Sequence, residues 1–454
     1  MKKLISLNAA ILVLFIFSCD DKKTYLNGKI IKTSSDSISI LKDEKIIKTT
    51  DVLENGYFNF VLDTIKDGLY NFQLNPEFQY VFLKKGDSLS LRLNTLDFDE
   101  SLFFTGKGSS VNNFLIDVFL KKEEEVQFLK KKFYSKYDHF LNKIDSLINE
   151  NNEILRNFKK TNDTGIIENI VLENAQLMPL YSQLETFYSL NKNKIESIDK
   201  EIFFQFRKKI EFNIDELSHF KPYLDYLIIR SSNQEEFISD DYPNKNLNFY
   251  ISRLKFIDSN IQSSLIRSKV LRHVAYEYLL KEKVLIDIEN FLFEFMKISN
   301  NLNINSEINL LYENLVLLQK GKTFPEIELI NTKGETLNSK SLKIKKKIIY
   351  VFWSINQDSH KISLFNRIFK ILNINQKDYT FYCININRNQ KEWIESLRTI
   401  PKSENIVHLR SKEFDRMSKK LVLNNLNKII TTSGNGLILS VSNIYEIEQK
   451  ITSD

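Results

Sequence analysis

The amino-acid sequence predicts a multidomain α+β protein, with an N-terminal β-sandwich or barrel, a central all-α helical region and a C-terminal α/β domain. Three hydrophobic patterns support this organisation: alternation with period two in residues 25–108, a period near 3.6 in residues 109–320, and strands alternating with helices in residues 321–454. The chain has 454 residues, enough for two or three domains at roughly 150 residues each.

The charge composition argues against a nucleic-acid partner. The chain carries 64 Lys and Arg residues against 58 Asp and Glu residues, a formal charge of +6. Loss of Lys2 and Lys3 with an N-terminal leader lowers the charge to +4. Proteins that bind nucleic acid through its phosphates carry a much larger basic excess. We therefore expect no nucleic-acid binding.

Residues 1–18 are predicted to be a signal peptide. Lys2 and Lys3 make a short positive start, and residues 4–17 are apolar but too few for a membrane span, which needs about 20 residues. The segment Ile16-Phe17-Ser18-Cys19 resembles the lipobox of bacterial lipoproteins. That resemblance implies that Cys19 becomes the acylated N-terminus, because its thiol receives a diacylglyceryl group before the leader is cut.

Acylation of Cys19 predicts a lipid-anchored protein of the cell envelope, since two or three acyl chains hold a protein stably in a membrane. Asp20 and Asp21 follow, and acidic residues there resemble the surface-export signals of Bacteroidota lipoproteins, which favours the outer membrane. In enteric bacteria the same Asp20 would indicate inner-membrane retention, so the membrane face stays open. An uncleaved anchor and a secreted protein with an incidental cysteine are the alternatives.

Residues 25–108 are predicted to form the β-sandwich or barrel. The segment Ser88-Leu89-Ser90-Leu91-Arg92-Leu93 alternates polar and apolar residues, as a half-buried strand does. Residues 57–62 and 80–83 are rich in aromatic and aliphatic side chains. Turn signals with glycine recur at residues 54–56, 66–68 and 85–87.

Residues 109–320 are predicted to be helical. Apolar residues at i, i+3, i+4 and i+7 from Phe114 to Ile148 indicate one long helix. A last helix is predicted over about residues 307–319, with Ser306 as N-cap and Gly321 just past its end. Further helices are predicted at residues 202–217, 223–230, 264–281 and 286–298. The histidines here (His139, His219, His273) lack the paired spacing of metal ligands, so no metal site is expected.

Residues 321–454 alternate buried strands with helices. Residues 347–354 and 380–386 are apolar runs typical of strands buried on both faces, and residues 362–372 between them form an amphipathic helix. Strand, helix and parallel strand make a βαβ unit. A hairpin around Ser433-Gly434-Asn435-Gly436 and a closing helix are predicted to follow.

Short motifs in this region have a characteristic order: Gly321 with Pro325, then Phe352-Trp353-Ser354, then Asn387 with Trp393, then Asn435-Gly436. Over roughly residues 318–454 the chain thereby resembles the TlpA/ResA-like branch of the thioredoxin superfamily. The N-terminal part resembles the β-domain of Bacteroidota thioredoxin-like lipoproteins. The motifs there are Gly56-Tyr57-Phe58, Gly68-Leu69-Tyr70, Lys85-Gly86-Asp87, and Phe104-Thr105-Gly106 leading into Asn112-Asn113-Phe114-Leu115.

The resemblance implies a thioredoxin-like domain whose redox residues are lost. The family's activity needs Cys-x-x-Cys at a helix N-terminus just after the Phe-Trp strand end, where the helix lowers the pKa of the first thiol. Gln357 and His360 stand at those two positions after Trp353, and Asn427 stands where the family has a cis-proline. Trp353, Gln357, His360 and Asn427 are thus expected to be the positions of a degenerate active site, with no catalytic residue and no cofactor.

Other chemistry at these positions has little support in the sequence. Asp358, Ser359 and His360 have the residue types of a hydrolytic triad, but consecutive residues on a helix project about 100° apart. A metal held by Asp358 and His360 would lack further ligands. Cys383 lies within an apolar strand and is expected to be a buried, inert thiol.

Two functions remain. The first is a non-enzymatic, membrane-anchored envelope lipoprotein in which a redox-inactive thioredoxin-like domain has a binding or scaffold role toward an envelope protein or glycan. The second is an enzyme of the thiol–disulfide oxidoreductase family with altered or residual activity. Fold alone does not decide between them, because function resides in sites.

Overall fold

The computed structural model describes residues 23–33, 35–75, 77–195, 200–234, 246–342, 346–374 and 378–453, which form a mixed α/β structure. Cys19 lies outside these ranges. The chain divides into two compact units: unit 1 comprises Met1–Val274 and Phe293–Ile298, and unit 2 comprises Ala275–Leu292 and Ser299–Asp454. The stretch predicted as helical, 109–320, contributes to both units. No helix in the described ranges combines the length and apolarity that crossing a bilayer requires.

Unit 1 begins with two four-stranded sheets, in the orders β4-β1-β7-β8 and β3-β2-β5-β6. Neighbouring strands are antiparallel except for β1 and β7, which are parallel. The strands are β1 (Thr24–Ile31), β2 (Ser37–Lys42), β3 (Lys45–Asp51), β4 (Tyr57–Leu62), β5 (Gly68–Leu74), β6 (Glu77–Leu83), β7 (Ser88–Asn94) and β8 (Phe103–Lys107). Leu89, Leu91 and Leu93 are buried as the period-two pattern predicted, within one apolar cluster that draws on both sheets.

The turn before β4 requires glycine. Gly56 has a φ of +81°, and a Cβ there would lie 2.1 Å from the backbone oxygen of Ile30. Its own backbone oxygen accepts a hydrogen bond from the Ile30 N–H at 2.9 Å. Any side chain would therefore push β1 away from the turn, which explains the Gly56-Tyr57 step in the sequence.

Eight helices follow in the described part of the chain. They are α1 (Phe98–Ser101), α2 (Ser109–Lys130), α3 (Tyr137–Thr161), α4 (Ile166–Ile195), α5 (Lys200–Phe203), α6 (Lys221–Ser232), α7 (Leu247–Asn260) and α8 (Ser264–Lys281, whose last seven residues belong to unit 2). Glu185 of α4 is fully buried, and both of its carboxylate oxygens accept hydrogen bonds from Arg207 at 2.8 Å. Asn233 donates to the same carboxylate at 2.9 Å, so the charge is neutralised within the helical layer.

Two helix predictions for this region were wrong. The single helix from Phe114 to Ile148 is interrupted between α2 and α3, because a turn closed by the Ser135 N–H on Lys132 buries Phe133 against Phe140. The helix predicted over residues 202–217 is mostly two 3₁₀ turns, Phe204–Lys209 and Asp215–Leu217. Here the Tyr223 hydroxyl bonds to two backbone groups that would find their partners within the helix if it were continuous. It donates to the Glu211 carbonyl at 2.8 Å and accepts from the Ile214 N–H.

Unit 2 contains a seven-stranded sheet in the order β10-β9-β13-β12-β11-β14-β15. The strands are β9 (Glu328–Asn331), β10 (Thr336–Asn338), β11 (Lys347–Trp353), β12 (Tyr379–Asn385), β13 (Ile406–Ser411), β14 (Lys428–Thr432) and β15 (Ile438–Asn443). The helices are α9 (Leu285–Ile298, whose last six residues belong to unit 1), α10 (Leu302–Leu317), α11 (Asp358–Ile374), α12 (Gln390–Ser396), α13 (Phe414–Lys420) and α14 (Ile444–Ser453).

The predicted βαβ unit is confirmed, since β11 and β12 are parallel neighbours joined through α11. The antiparallel hairpin of β14 and β15 and the closing α14 are also present. The predicted start of the last central helix was wrong: α10 begins at Leu302, five residues before the predicted start. Its N-cap is Asn301 rather than Ser306, because the Asn301 side chain accepts the N–H groups of Asn303 and Ile304.

Candidate functional site

The candidate site lies where β11 leads into α11. Trp353, the last residue of β11, is fully buried. The loop after it is held by Asn387, which follows β12: its Oδ1 accepts the Ile355 N–H at 2.9 Å and lies 3.1 Å from the Ser354 hydroxyl. Because β11 and β12 are parallel, the loops after them lie at the same edge of the sheet. Asn387, which follows β12, therefore holds the loop that leads from β11 into α11.

Gln357 and His360 flank the first turn of α11. Gln357 is exposed, and its backbone carbonyl accepts the Lys361 N–H at 2.9 Å. His360 is half-buried, and burial lowers the pKa of its imidazole, a shift that a hydrogen bond with the Asn427 side chain opposes. The net pKa lies below the ordinary value of 6.5, so the ring is neutral at neutral pH.

The structure brings His360 and Asn427 together although they are far apart in the sequence. Asn427 immediately precedes β14, and its N–H donates to the Asn425 side chain at 3.0 Å, which shapes the turn. Among the described residues the buried Nδ1 of His360 has no hydrogen-bond partner. The site thus presents an amide and a neutral imidazole, neither of which can form a mixed disulfide.

The neighbouring side chains of α11 do not assemble into a triad. Asp358 is exposed and forms an ion pair with Lys361 at 2.9 Å. Ser359 is exposed. Within the described ranges no three His, Cys, Asp or Glu side chains come close enough to hold a metal ion.

The thiol in unit 2 lies in the core of the sheet. Cys383 is fully buried in β12, which confirms the prediction of its burial, and burial raises its thiol pKa far above the ordinary value. Its register neighbour on β13 is His408, whose ring lies 6.0 Å from that of Phe365 of α11. Burial lowers the pKa of His408, so this pair is neutral and packed rather than reactive.

One ionisable group beside the site was missed in the sequence. Burial lowers the pKa of Lys428, the residue after Asn427, to about 8, and its Nζ donates to the Val422 carbonyl at 2.8 Å. Val422 itself has a φ of +47°, a backbone conformation that β-branched residues rarely adopt. No local pattern marks Lys428, because both its burial and its acceptor depend on the fold of residues 414–428.

Comparison with known proteins gives similarities to solved structures alone: no family model and no curated protein matches the chain. A thiol:disulfide interchange protein from Bacteroides sp. is 19% identical, with a TM-score of 0.26, and the match covers 30% of this chain and 90% of that protein. The thioredoxin domain of a thiol-disulfide oxidoreductase from Bacteroides vulgatus is 20% identical, with a TM-score of 0.24, over 29% of this chain and 97% of the domain.

A thioredoxin-like protein from Bacteroides caccae matches more of the chain. It is 12% identical with a TM-score of 0.35, and the match covers 60% of this chain and 93% of that protein. All three TM-scores are below 0.5. Unit 2 itself has the parallel β11 and β12 joined through α11, the β14–β15 hairpin and the closing α14.

Proposed function

We propose that the protein is a membrane-anchored envelope lipoprotein whose thioredoxin-like domain is redox-inactive and has a binding or scaffold role. The observation that carries this proposal is the pair Gln357 and His360 at the start of α11, with Asn427 against the imidazole. Thiol–disulfide exchange requires an attacking thiolate and a second sulfur, and neither side chain supplies one.

Cys383 cannot replace the missing Cys-x-x-Cys pair. Its sulfur lies within β12 under α11, and its raised pKa keeps it protonated. A buried, protonated thiol is a poor nucleophile, and resolving a mixed disulfide would still require a second cysteine.

The proposed anchor is an acylated Cys19 in the outer membrane, with the membrane face left open. The lipobox-like segment Ile16-Phe17-Ser18-Cys19 supports it. The N-terminal part is proposed to be a β-sandwich, supported by two four-stranded sheets whose buried residues share one apolar cluster. The bound partner would be an envelope protein or glycan.

Insulin reduction with dithiothreitol as the reductant tests the redox part of the proposal. We expect the mature wild-type chain to match the protein-free blank. Gln357→Cys with His360→Cys should restore at most weak activity, because the helix N-terminus still favours a thiolate but Asn427 does not supply the family's proline turn. Adding Asn427→Pro should raise the activity further.

Single Gln357→Cys is the matched control, since one exposed cysteine cannot form the internal disulfide. Turnover by the wild-type chain above the blank would overturn the proposal in favour of an oxidoreductase with altered residues. Failure of the double variant to form an internal disulfide would show that the two positions are wrongly assigned.

A further inference from the structure

Unit 1 contains an apolar groove of about 470 Å³. β6 lines it with Phe78 and Tyr80, and α2 lines it with Val118 and Phe119. Pro179 of α4 and the first residues of α6 complete the lining. Phe78 is 45% exposed and Phe119 is 41% exposed, so the groove displays aromatic surface to solvent.

The strand along this groove is a sheet edge. β6 is the last strand in the order β3-β2-β5-β6, so no strand of the described residues pairs with one side of its backbone. At Phe82 that side is closed by Asn112 of α2, whose Oδ1 accepts the Phe82 N–H at 2.7 Å and whose Nδ2 donates to the Phe82 carbonyl at 2.9 Å. The Asn112 side chain therefore completes the edge at Phe82.

Nearer the groove, part of the same edge is open. Backbone groups alternate in direction along an antiparallel strand, so those of Tyr80 and Phe78 point to the same side as those of Phe82. The Tyr80 N–H is taken by the Gln79 side chain at 2.8 Å. Within the described residues, no hydrogen bond outside the sheet is made by the Tyr80 carbonyl or by the backbone of Phe78.

The groove is also acidic at its rim. Glu77, Asp99 and Glu123 line it, and the pKa of Asp99 is raised first by burial and then by the neighbouring carboxylates, Glu77 and Glu123 among them. The lysines along it are already neutralised: Lys122 is paired with Glu125, and Lys221 is paired with Asp225. Within the described ranges no Lys or Arg forms an ion pair with these three carboxylates, and such negative charge at the rim favours a basic ligand.

We propose that this groove binds an extended, basic segment of a partner protein, which adds as a strand to the free edge of β6. Main-chain hydrogen bonds to the Phe78 backbone and the Tyr80 carbonyl would hold the segment, and alternate apolar side chains would fill the groove lined by β6 and α2. The intervening Lys or Arg side chains would face Glu77 and Glu123. The proposal concerns unit 1 and does not depend on the redox state of unit 2.

Fluorescence anisotropy of the mature chain with a labelled Lys-Val-Lys-Val-Lys-Val-Lys peptide tests this proposal. We expect saturable binding, weakened at least tenfold by Glu123→Lys and by Phe119→Ser. Two matched controls lie on the same helix outside the groove: Glu124→Lys, also exposed, and Phe128→Ser, where Phe128 is 42% exposed. Both controls should stay within twofold of wild type.

A second probe isolates the backbone contribution. The same peptide, N-methylated on alternate residues, keeps its side chains and charge but cannot pair with a strand edge, so its affinity should fall at least tenfold in one of the two methylation registers. Affinity as high as that of the unmethylated peptide in both registers would overturn strand addition, because it would show that the peptide binds through its side chains alone. Absence of saturable binding by the unmethylated peptide would overturn the proposal as a whole.

Discussion

Asn112 offers a sharp test of how unit 1 is held together. Its side chain is 1% exposed and satisfies the N–H and the carbonyl of Phe82 at the edge of β6. Asn112→Ala leaves both groups buried without partners. Each such group costs about 1–3 kcal/mol, so opening this edge should become easier by about 3 kcal/mol. At about 1.4 kcal/mol per factor of ten, amide exchange in β6 should accelerate roughly a hundredfold.

Hydrogen exchange read by mass spectrometry is the suitable assay, because it reports the local opening of β6 and needs no two-state unfolding of a two-unit chain. Asn113→Ala is the matched control. Asn113 pairs in the same way with Phe104 at the edge of β8, at 2.8 Å for both bonds, but it is only half-buried. Water can replace it in part, so we expect about tenfold faster exchange, confined to β8.

Unchanged exchange of the β6 peptides in Asn112→Ala would refute this reasoning, since it would mean that the asparagine does not protect the edge. Equal acceleration in β6 and β8 by either variant would also refute it, because each asparagine contacts only one of the two edges.

The remaining predictions concern the anchor, the thiol and acid stability. Cys19→Ala should abolish fatty-acid labelling and leave unprocessed precursor; undiminished labelling would contradict acylation at this residue. Cys383 should react with a thiol reagent only upon unfolding, so rapid stoichiometric labelling of the native chain would count against an inert thiol. Hydrogen bonds from His219 and Ser218 hold the pKa of Asp43 well below its usual range, so this carboxylate stabilises unit 1 above about pH 4, and that contribution is lost as the pH falls through the folded pKa. Asp43→Asn, which suits the positive φ there, should lower the melting temperature at pH 7 and flatten its decline below pH 4; an unaltered profile would exclude this role.

The sequence predicts the elements whose burial is continuous or strictly periodic. β11 and β12 are mostly apolar and almost continuously buried, and β7 alternates without a break, so each could be predicted from its own residues. β13 escaped prediction because His408 and Arg410 interrupt its apolar run. The break after α2 has no glycine or proline to mark it, since it results from Phe133 packing against Phe140.

The candidate site likewise contains residues that the local sequence predicted and residues that it did not. Gln357 and His360 could be assigned because they follow Trp353 at a spacing set by one strand and one helix start. The structure places the Asn427 side chain beside His360, and the burial of Lys428, the next residue, had no local signal in the sequence. Burial of a lysine depends on which distant residues cover it, and no pattern within one strand reports that.

The adjacency of Asn112 and Asn113 has a mechanical consequence. Neighbouring side chains on a helix leave its axis about 100° apart, and here one reaches β6 while the other reaches β8. The first turn of α2 is therefore a rigid link between two sheets that have no common ladder. A rotation of that turn large enough to release one strand edge must also release the other. Deleting a single residue between Gly108 and Asn112 would rotate both asparagine side chains away from the strand edges that they contact. We therefore expect this short segment to tolerate substitution on its outer face but not a change in length.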